Sequence, residues 1–380
     1  MSPHSAHYEI IDFQQEVARL QGLLEASRRI HGALHLNEVL GCVLEIAGKE
    51  IEAESAFFTP GPALEGTEYG DGAPEAAENP AFALHDKQGN LLTSLVVVRP
   101  GQPLTLEEHD FLEGLALQAA VAVETARQHE RTIVLERVQQ DLASARAIQR
   151  SLLPQNVPDI DGYCVNYRSN ACYEVGGDYV DILKLPDDRY MMVVADVAGK
   201  GLASAMIGVS FRSAFRAMAI TGLPLDELAA RMNDLHFAEG LEARRRYVTA
   251  ILLRLDARSN TIEFVNAGHN PGFLFGAAEG GTLIESSGPP LGMLPKRRYT
   301  VETRQLTPGA RLLLYTDGLI EVFRGEEEFG EERLLEGFRD CAEPASGATL
   351  DHLWQQLNDF ADTTAQSDDM TALALFRHSV

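Results

Sequence analysis

Four aspartates of this chain stand where an apolar run meets a loop, each with a glycine within three residues or a second aspartate beside it. In EVGGDYVDI, Gly176-Gly177 permits a close backbone approach just before Asp178, and Asp181 follows three residues on. In MMVVADVAGKG the run Met191 to Ala195 delivers Asp196 at its end, and Gly199 and Gly201 leave the next backbone free to turn around a bound ion. LLLYTDGLIE closes an apolar strand on Asp317-Gly318, and in QSDDMTALALF the pair Asp368-Asp369 precedes a final strand. Brought to one end of a sheet, these carboxylates would repel one another, and hard divalent cations supply the counter-charge. Mg²⁺ and Mn²⁺ take oxygen ligands in octahedral geometry and keep several waters. Two such ions can share a carboxylate, acidify the water between them and stabilise in-line displacement at phosphorus. A single Asp-Gly is most often a turn; four such sites at strand ends form a constellation.

Other residues near these motifs have two readings each. His269 in NAGHNP is either a general acid that protonates a leaving oxygen or a loop-shaping group between Gly268 and Asn270-Pro271. Lys200, beside the Asp196 loop, either grips phosphate or is simply solvated. Arg244-Arg245-Arg246, a dense basic run in this half, either meets an acidic partner or forms a solvated loop. No Walker-type glycine loop followed by Lys-Ser/Thr is present, so nucleotide hydrolysis has no cradle in the sequence.

The elements that must position these groups fall into three segments. The length of 380 residues suits two or three compact units at roughly 150 residues each. From Phe13 to Gly48, apolar residues at Val17, Leu20, Leu24, Ile30, Leu34, Val39, Leu40, Val43 and Leu44 predict two helices. A Pro/Gly-rich acidic loop from Thr59 to Pro80 then leads to strands at Ala81–His85 and Leu91–Val98 around a turn at Lys87–Asn90. This predicts a small α/β module over residues 15–128. Thr105 and Glu108 fit a capping box, and no proline follows until Pro154, which predicts one long helix or two in series. Within it Leu135, Val138, Leu142, Ala145, Gln149 and Leu152 keep heptad spacing, so residues 129–160 read as a coiled-coil linker that pairs two copies in parallel, or as a helix packed on its own domain. Residues 161–380 change texture to α+β: strands at Tyr163–Arg168, Tyr179–Leu185, Tyr190–Val197, Tyr247–Leu255, Thr261–Val265 and Arg311–Tyr315, with helices at Leu202–Ala219, Leu225–Ala238, Glu332–Cys341 and Leu350–Asp362.

Bulk composition excludes several classes. A formal charge of -24 argues against a nucleic-acid partner, whose phosphates this surface would repel. No apolar run reaches the roughly 18 residues that cross a bilayer, and the start carries no signal-peptide core, so a cytoplasmic protein without a membrane partner is expected. Cys42, Cys164, Cys172 and Cys341 form no CxxC pair and read as reduced buried thiols.

EVGGDYVD, VVADVAGKGLASAM, FVNAGHNPGFLF, LLLYTDGLIE and DDMTAL, in that order between Asp161 and Phe376, resemble the PPM-type (protein phosphatase 2C-like) phosphatases, and among them the bacterial branch named for the sporulation protein SpoIIE. ARAIQRSLLP, from Ala145 to Pro154, resembles the helix leading into that branch's catalytic domain, and the N-terminal segment resembles a GAF sensor domain by pattern only. The resemblance implies a β-sandwich flanked by helices, and a metal-dependent serine/threonine phosphatase that hydrolyses its substrate directly, without a phosphoenzyme. It implies that Asp178 and Asp196 bind two Mn²⁺ or Mg²⁺ ions, with Asp196 bridging and the Val197 carbonyl helping. Asp317 and Asp368 would complete the ligands of the second ion, and Asp369 would be a ligand or stand behind one. The substrate class implied is a phosphorylated STAS-type anti-sigma-factor antagonist, under control of the N-terminal module and a homodimer. Eukaryotic relatives grip phosphate with an arginine near the first motif, whereas here Ala171-Cys172-Tyr173 precede it with no basic residue. The competing readings are a catalytically silent scaffold of the same fold and a hydrolase of small phosphate esters.

Overall fold

The computed structural model describes residues 20–62, 64, 79–99, 101–276, 281–340 and 348–379. Val17, Cys341 and most of the loop expected between Thr59 and Pro80 lie outside them. The chain divides between Gln139 and Gln140 into two compact units. Among the described residues no helix is long and apolar enough to cross a membrane.

In the first unit, α1 (20–32) and α2 (Leu36–Glu50) precede a three-stranded antiparallel sheet of order β1-β3-β2, formed by β1 (Ser55–Phe58), β2 (Ala81–His85) and β3 (Leu91–Val98). The turn after β2 forms because the Asp86 carboxylate accepts hydrogen bonds from the Gln88 and Asn90 amides, while Gly89 takes a φ of 86° that a side chain would resist. The capping box closes as expected: the Thr105 hydroxyl accepts from the Glu108 amide and Glu108 accepts from the Thr105 amide. It starts α3 (Leu106–Leu152), a single unbroken helix. Val39, Leu40, Val43, Leu95, Leu112, Ala119 and Val123 share one core. Leu20, Leu24 and Leu34, expected on the packed stripe, are instead exposed, because α1 turns Ala26 and Ile30 inward and Leu34 lies beyond its end.

The second unit is a four-layer sandwich. One sheet has the order β10-β9-β12-β15-β4 and the other β11-β8-β7-β6-β5, with antiparallel pairing throughout. The strands are β4 (Tyr163–Asn170), β5 (Tyr179–Leu185), β6 (Arg189–Val197), β7 (Val248–Asp256), β8 (Thr261–Ala267), β9 (Gly272–Phe275), β10 (Gly281–Ile284), β11 (Glu302–Gln305), β12 (Arg311–Tyr315) and β15 (Met370–Arg377). A short β13 (Phe323–Arg324) and β14 (Glu327–Glu328) form a separate ribbon. The helices are α4 (Leu202–Ala219), α5 (Leu225–Ala238), the one-turn α6 (Leu241–Arg244), α7 (Gly330–Asp340) and α8 (Ala348–Ala361).

The apolar runs read as strands are continuous because both faces of each sheet are covered. Along β6, Met192 and Val194 point between the sheets to meet Leu253, Leu314 and Leu373, while Met191, Val193 and Ala195 face Phe211, Phe215, Leu228 and Met232 of α4 and α5. On the other side, Leu313, Tyr315 and Ala374 face Leu334, Phe338, Leu353 and Trp354 of α7 and α8. The last turns of α3 belong to this unit as well. Gln149 hydrogen-bonds the Gly176 backbone, the Leu152 carbonyl accepts from Arg212, and Leu153 packs on the inter-sheet core. The expected coiled-coil seam therefore divides. Leu135 and Val138 are exposed, whereas its C-terminal positions are taken up by the chain's own second unit.

The single tryptophan, Trp354, lies in the core of the second unit and so reports on its unfolding alone. Phe215, fully buried between α4 and its sheet, should cost about 3–5 kcal/mol when truncated to alanine. Met206→Ala, on the exposed face of the same helix, should stay within about 0.5 kcal/mol. Guanidinium unfolding followed by Trp354 fluorescence checks both, and equal effects would mean the α4 faces are wrongly assigned.

Candidate metal centre

Two adjacent strands of each sheet bring the acidic motifs to one end of the sandwich. Asp178 immediately precedes β5 and Asp196 lies at the end of β6, two strands paired through Tyr179 and Ala195. Asp317 follows β12 and Asp368-Asp369 precede β15, two strands paired through Tyr315 and Ala372. The sheets are stitched across this edge by Thr316, whose hydroxyl donates to Asp178 Oδ2 at 2.8 Å and accepts the Thr371 amide at 3.0 Å.

Glycines let the four loops approach more closely than side chains permit. A Cβ on Gly318 would stand 1.9 Å from the Asp369 carbonyl oxygen, and one on Gly176 would stand 2.4 Å from the Asp369 carboxylate. Asp369 itself is buried, and both its oxygens accept backbone amides, from Cys172 at 2.7 Å and Gly177 at 2.6 Å. Its carboxylate thus clamps the loop that carries Asp178. The Val197 carbonyl faces the same loop, 3.0 Å from where a Gly177 Cβ would be. Asp181 points elsewhere: it is fully buried and paired bidentately with Arg216 of α4, with the Tyr179 hydroxyl on the same carboxylate.

Crowded acids in a recess hold on to protons. Burial, with Asp317, Asp368 and Asp369 nearby, pushes the Asp196 carboxyl up to about 7. Burial and the neighbouring Asp196 and Asp369 raise Asp178 well above the usual range, and burial with Asp368 raises Asp317. Glu321 is raised by burial and by Asp317 and Asp368, which adds a carboxylate the motif reading passed over. Lys200 opposes this charge: its ammonium is 2.7 Å from Asp368 Oδ2 and also donates to the Ser367 carbonyl.

His269 is buried with both ring nitrogens used, Nδ1 accepting from the Thr249 hydroxyl at 2.7 Å and Nε2 donating to the Tyr315 carbonyl at 2.9 Å. Burial lowers it to about 4, so at neutral pH the ring is uncharged with its one N–H committed to Tyr315, and it pins β7 and the 269 loop to the end of β12. Of the basic run, Arg245 pairs with Glu242 and Arg244 stacks on Phe237, but Arg246 is not a solvated group: its guanidinium lies 2.4 Å from where a Gly199 Cβ would be.

The donors gathered here are carboxylate and carbonyl oxygens, which suit Mg²⁺ or Mn²⁺. Thr316 was not legible in the sequence as part of the site; a threonine closing an apolar strand next to Asp317 was the available signal.

The family model described as stage II sporulation protein E (SpoIIE) matches residues 186–378, a span that holds Asp196, Asp317, Asp368 and Asp369 and begins after Asp178. Protein IcfG of Synechocystis sp. is 27% identical over 264 residues, covering 63% of this chain and 42% of its own length. Phosphoserine phosphatase RsbP of Bacillus subtilis is 31% identical over 183 residues, covering 48% of this chain and 45% of RsbP. The chain thus spans less than half the length of these two relatives. Among solved structures, the SiaA-PP2C domain of Pseudomonas aeruginosa superposes with a TM-score of 0.56 at 22% identity, over 64% of this chain and 98% of that one, which shows the fold.

Two outcomes test the centre. Because Thr316 holds Asp178, Thr316→Val should weaken Mn²⁺ binding about 10- to 100-fold in calorimetric titration of the full chain. Asp196 must lose its proton before it can ligate, so Mn²⁺ affinity should be level above pH 7 and fall by up to about tenfold per unit below it. A level profile down to pH 5 would show that Asp196 takes no part.

Proposed function

We propose that this chain, which belongs to the stage II sporulation protein E (SpoIIE) family, is a metal-dependent serine/threonine protein phosphatase. The observation that carries this reading is the convergence of Asp178, Asp196, Asp317 and Asp368 from four strand ends onto one recess. Two curated relatives, RsbP and RsbU of Bacillus subtilis, carry the name phosphoserine phosphatase, which supports the same class.

In this reading Asp178 and Asp196, with the Val197 carbonyl, would hold one Mn²⁺ or Mg²⁺ ion, and Asp196, Asp317 and Asp368 would hold a second. Such ions acidify a water and offset charge on the phosphoryl oxygens of a phosphoserine or phosphothreonine. The chain's own contribution is to keep the ligand oxygens in place: Thr316 orients Asp178, Asp369 clamps its loop, and Gly318 admits the Asp369 backbone. His269 stays neutral and structural, so the proton for the leaving oxygen comes from elsewhere.

The finer reading is a phosphorylated STAS-type anti-sigma-factor antagonist as substrate, in the cytoplasm. The first unit would act as a GAF-like sensor, and the continuous α3 would connect its signal to the catalytic unit. Pairing of two copies along α3 is supported by its exposed apolar residues Ile133, Val134, Leu135 and Val138.

Hydrolysis of p-nitrophenyl phosphate by the full chain, with Mn²⁺, with Mg²⁺ and with chelator, tests the core of the proposal. Release should require metal, and Asp196→Asn should lower it by at least about 100-fold, since loss of a ligand outweighs loss of its supporting partner. Metal-independent release would displace the proposed centre, and silence of both the full chain and residues 161–380 would favour a scaffold.

A further inference from the structure

The first motif lacks the arginine that would grip a phosphate, yet two arginines of another element border a cavity that shares Asp178 with the acidic recess. Arg146 and Arg150 stand one helical turn apart on the last turns of α3, within the second unit. They border one cavity of about 40 Å³ together with Gln149, Ser169, Glu174, Asp178 and Asp369. That volume exceeds the ~10–15 Å³ a single water needs but is too small for a metabolite, so it admits only a small group entering from outside.

Arg146 and Arg150 are held in register rather than carried on a loose helix end. Gln149, between them, donates through Nε2 to the Gly176 carbonyl at 2.6 Å and accepts the Gly176 amide through Oε1 at 3.1 Å. This two-point clamp ties the helix to backbone two residues before Asp178. Arg212 fixes the next turn through the Leu152 carbonyl at 2.9 Å. Among the described residues neither guanidinium of this pair has a hydrogen bond or an ion pair. The other nearby lysine is committed, with Lys200 spent on Asp368 and the Ser367 carbonyl. Both guanidinium forks remain without a hydrogen bond although Glu174, Asp178 and Asp369 line the same cavity, and a phosphate dianion offers the paired oxygens that a planar guanidinium binds bidentately.

We propose that Arg146 and Arg150 form the phosphate-binding subsite of this enzyme, supplied by α3 in place of the arginine absent from the first motif. The inference rests on the phosphatase reading above for the identity of the substrate, a phosphoseryl or phosphothreonyl peptide. Inorganic phosphate, the product, should bind the same pair.

The test uses the full chain in Mg²⁺, with the variants Arg146→Ala, Arg150→Ala, the double variant and Arg146→Lys. Phosphate binding is read by ³¹P NMR titration, and turnover of a phosphoserine peptide is read as KM and kcat separately. The double variant should weaken phosphate binding and raise KM by about 10- to 100-fold, the loss expected for charged hydrogen bonds, with kcat changed far less. Arg146→Lys should recover part of the binding, and Mg²⁺ affinity should not move. Phosphate binding and KM both unchanged in the double variant would overturn the subsite while leaving the phosphatase reading intact. Wild-type phosphate binding lost in the double variant, in a chain with no turnover, would uphold the subsite and sink the phosphatase reading.

Discussion

Repulsion among carboxylates is the constraint on which this fold is organised. Asp178, Asp196, Asp317, Asp368 and Asp369 are brought to one end of a sandwich whose strands would be more stable without them. The surrounding structure over-determines their positions in return. Thr316 binds Asp178 across the gap between the sheets, the Cys172 and Gly177 amides hold Asp369, and Lys200 sits on Asp368. Protonation of Asp196 and Asp178 relieves the remaining charge, the relief that a divalent cation would supply in the proposed centre. The outer layers serve this arrangement by burying both faces of each sheet, so that strand ends cannot drift apart.

How much of this was legible in the sequence depended on whether the cause was local. Strands β5 and β12 and helices α4 and α5 could be read to the residue, because burial on two faces makes a strand an unbroken apolar run and burial on one face gives a helix its spacing. The short β9, β10 and β11 were not read as strands. They have four residues each, β10 and β11 lie at sheet edges, and β11 shows mostly polar residues, so their pairing is dictated by neighbours distant in the chain. The aspartates stood out through their Gly partners, yet the roles of Thr316 and Asp369 depend on hydrogen bonds that span most of the catalytic unit.

Gln149 shows the limit most clearly. A polar residue at a heptad position looks like a concession within a coiled-coil seam. In three dimensions it is the one side chain that reads the Gly176 backbone, and the seam gives way there to a contact within the unit. Periodicity could report that this face of α3 is covered, but not by what. Asp181 makes the complementary point: three residues from Asp178 in EVGGDYVD, it serves a buried pair with Arg216 on the other face of the sheet.

The sheet order has a consequence for how this centre comes into being. β15 is the last strand of its unit to leave the ribosome, yet it lies between β12 and β4, the first strand made. Its leading loop carries Asp368 and Asp369, so neither the sheet nor the ligand set can close until it is inserted. A nascent chain can therefore pair β5 with β6 and bring Asp178 beside Asp196 early, while Asp317 waits for its neighbours. The full set of acids comes together only in a late step that joins the two ends of the second unit.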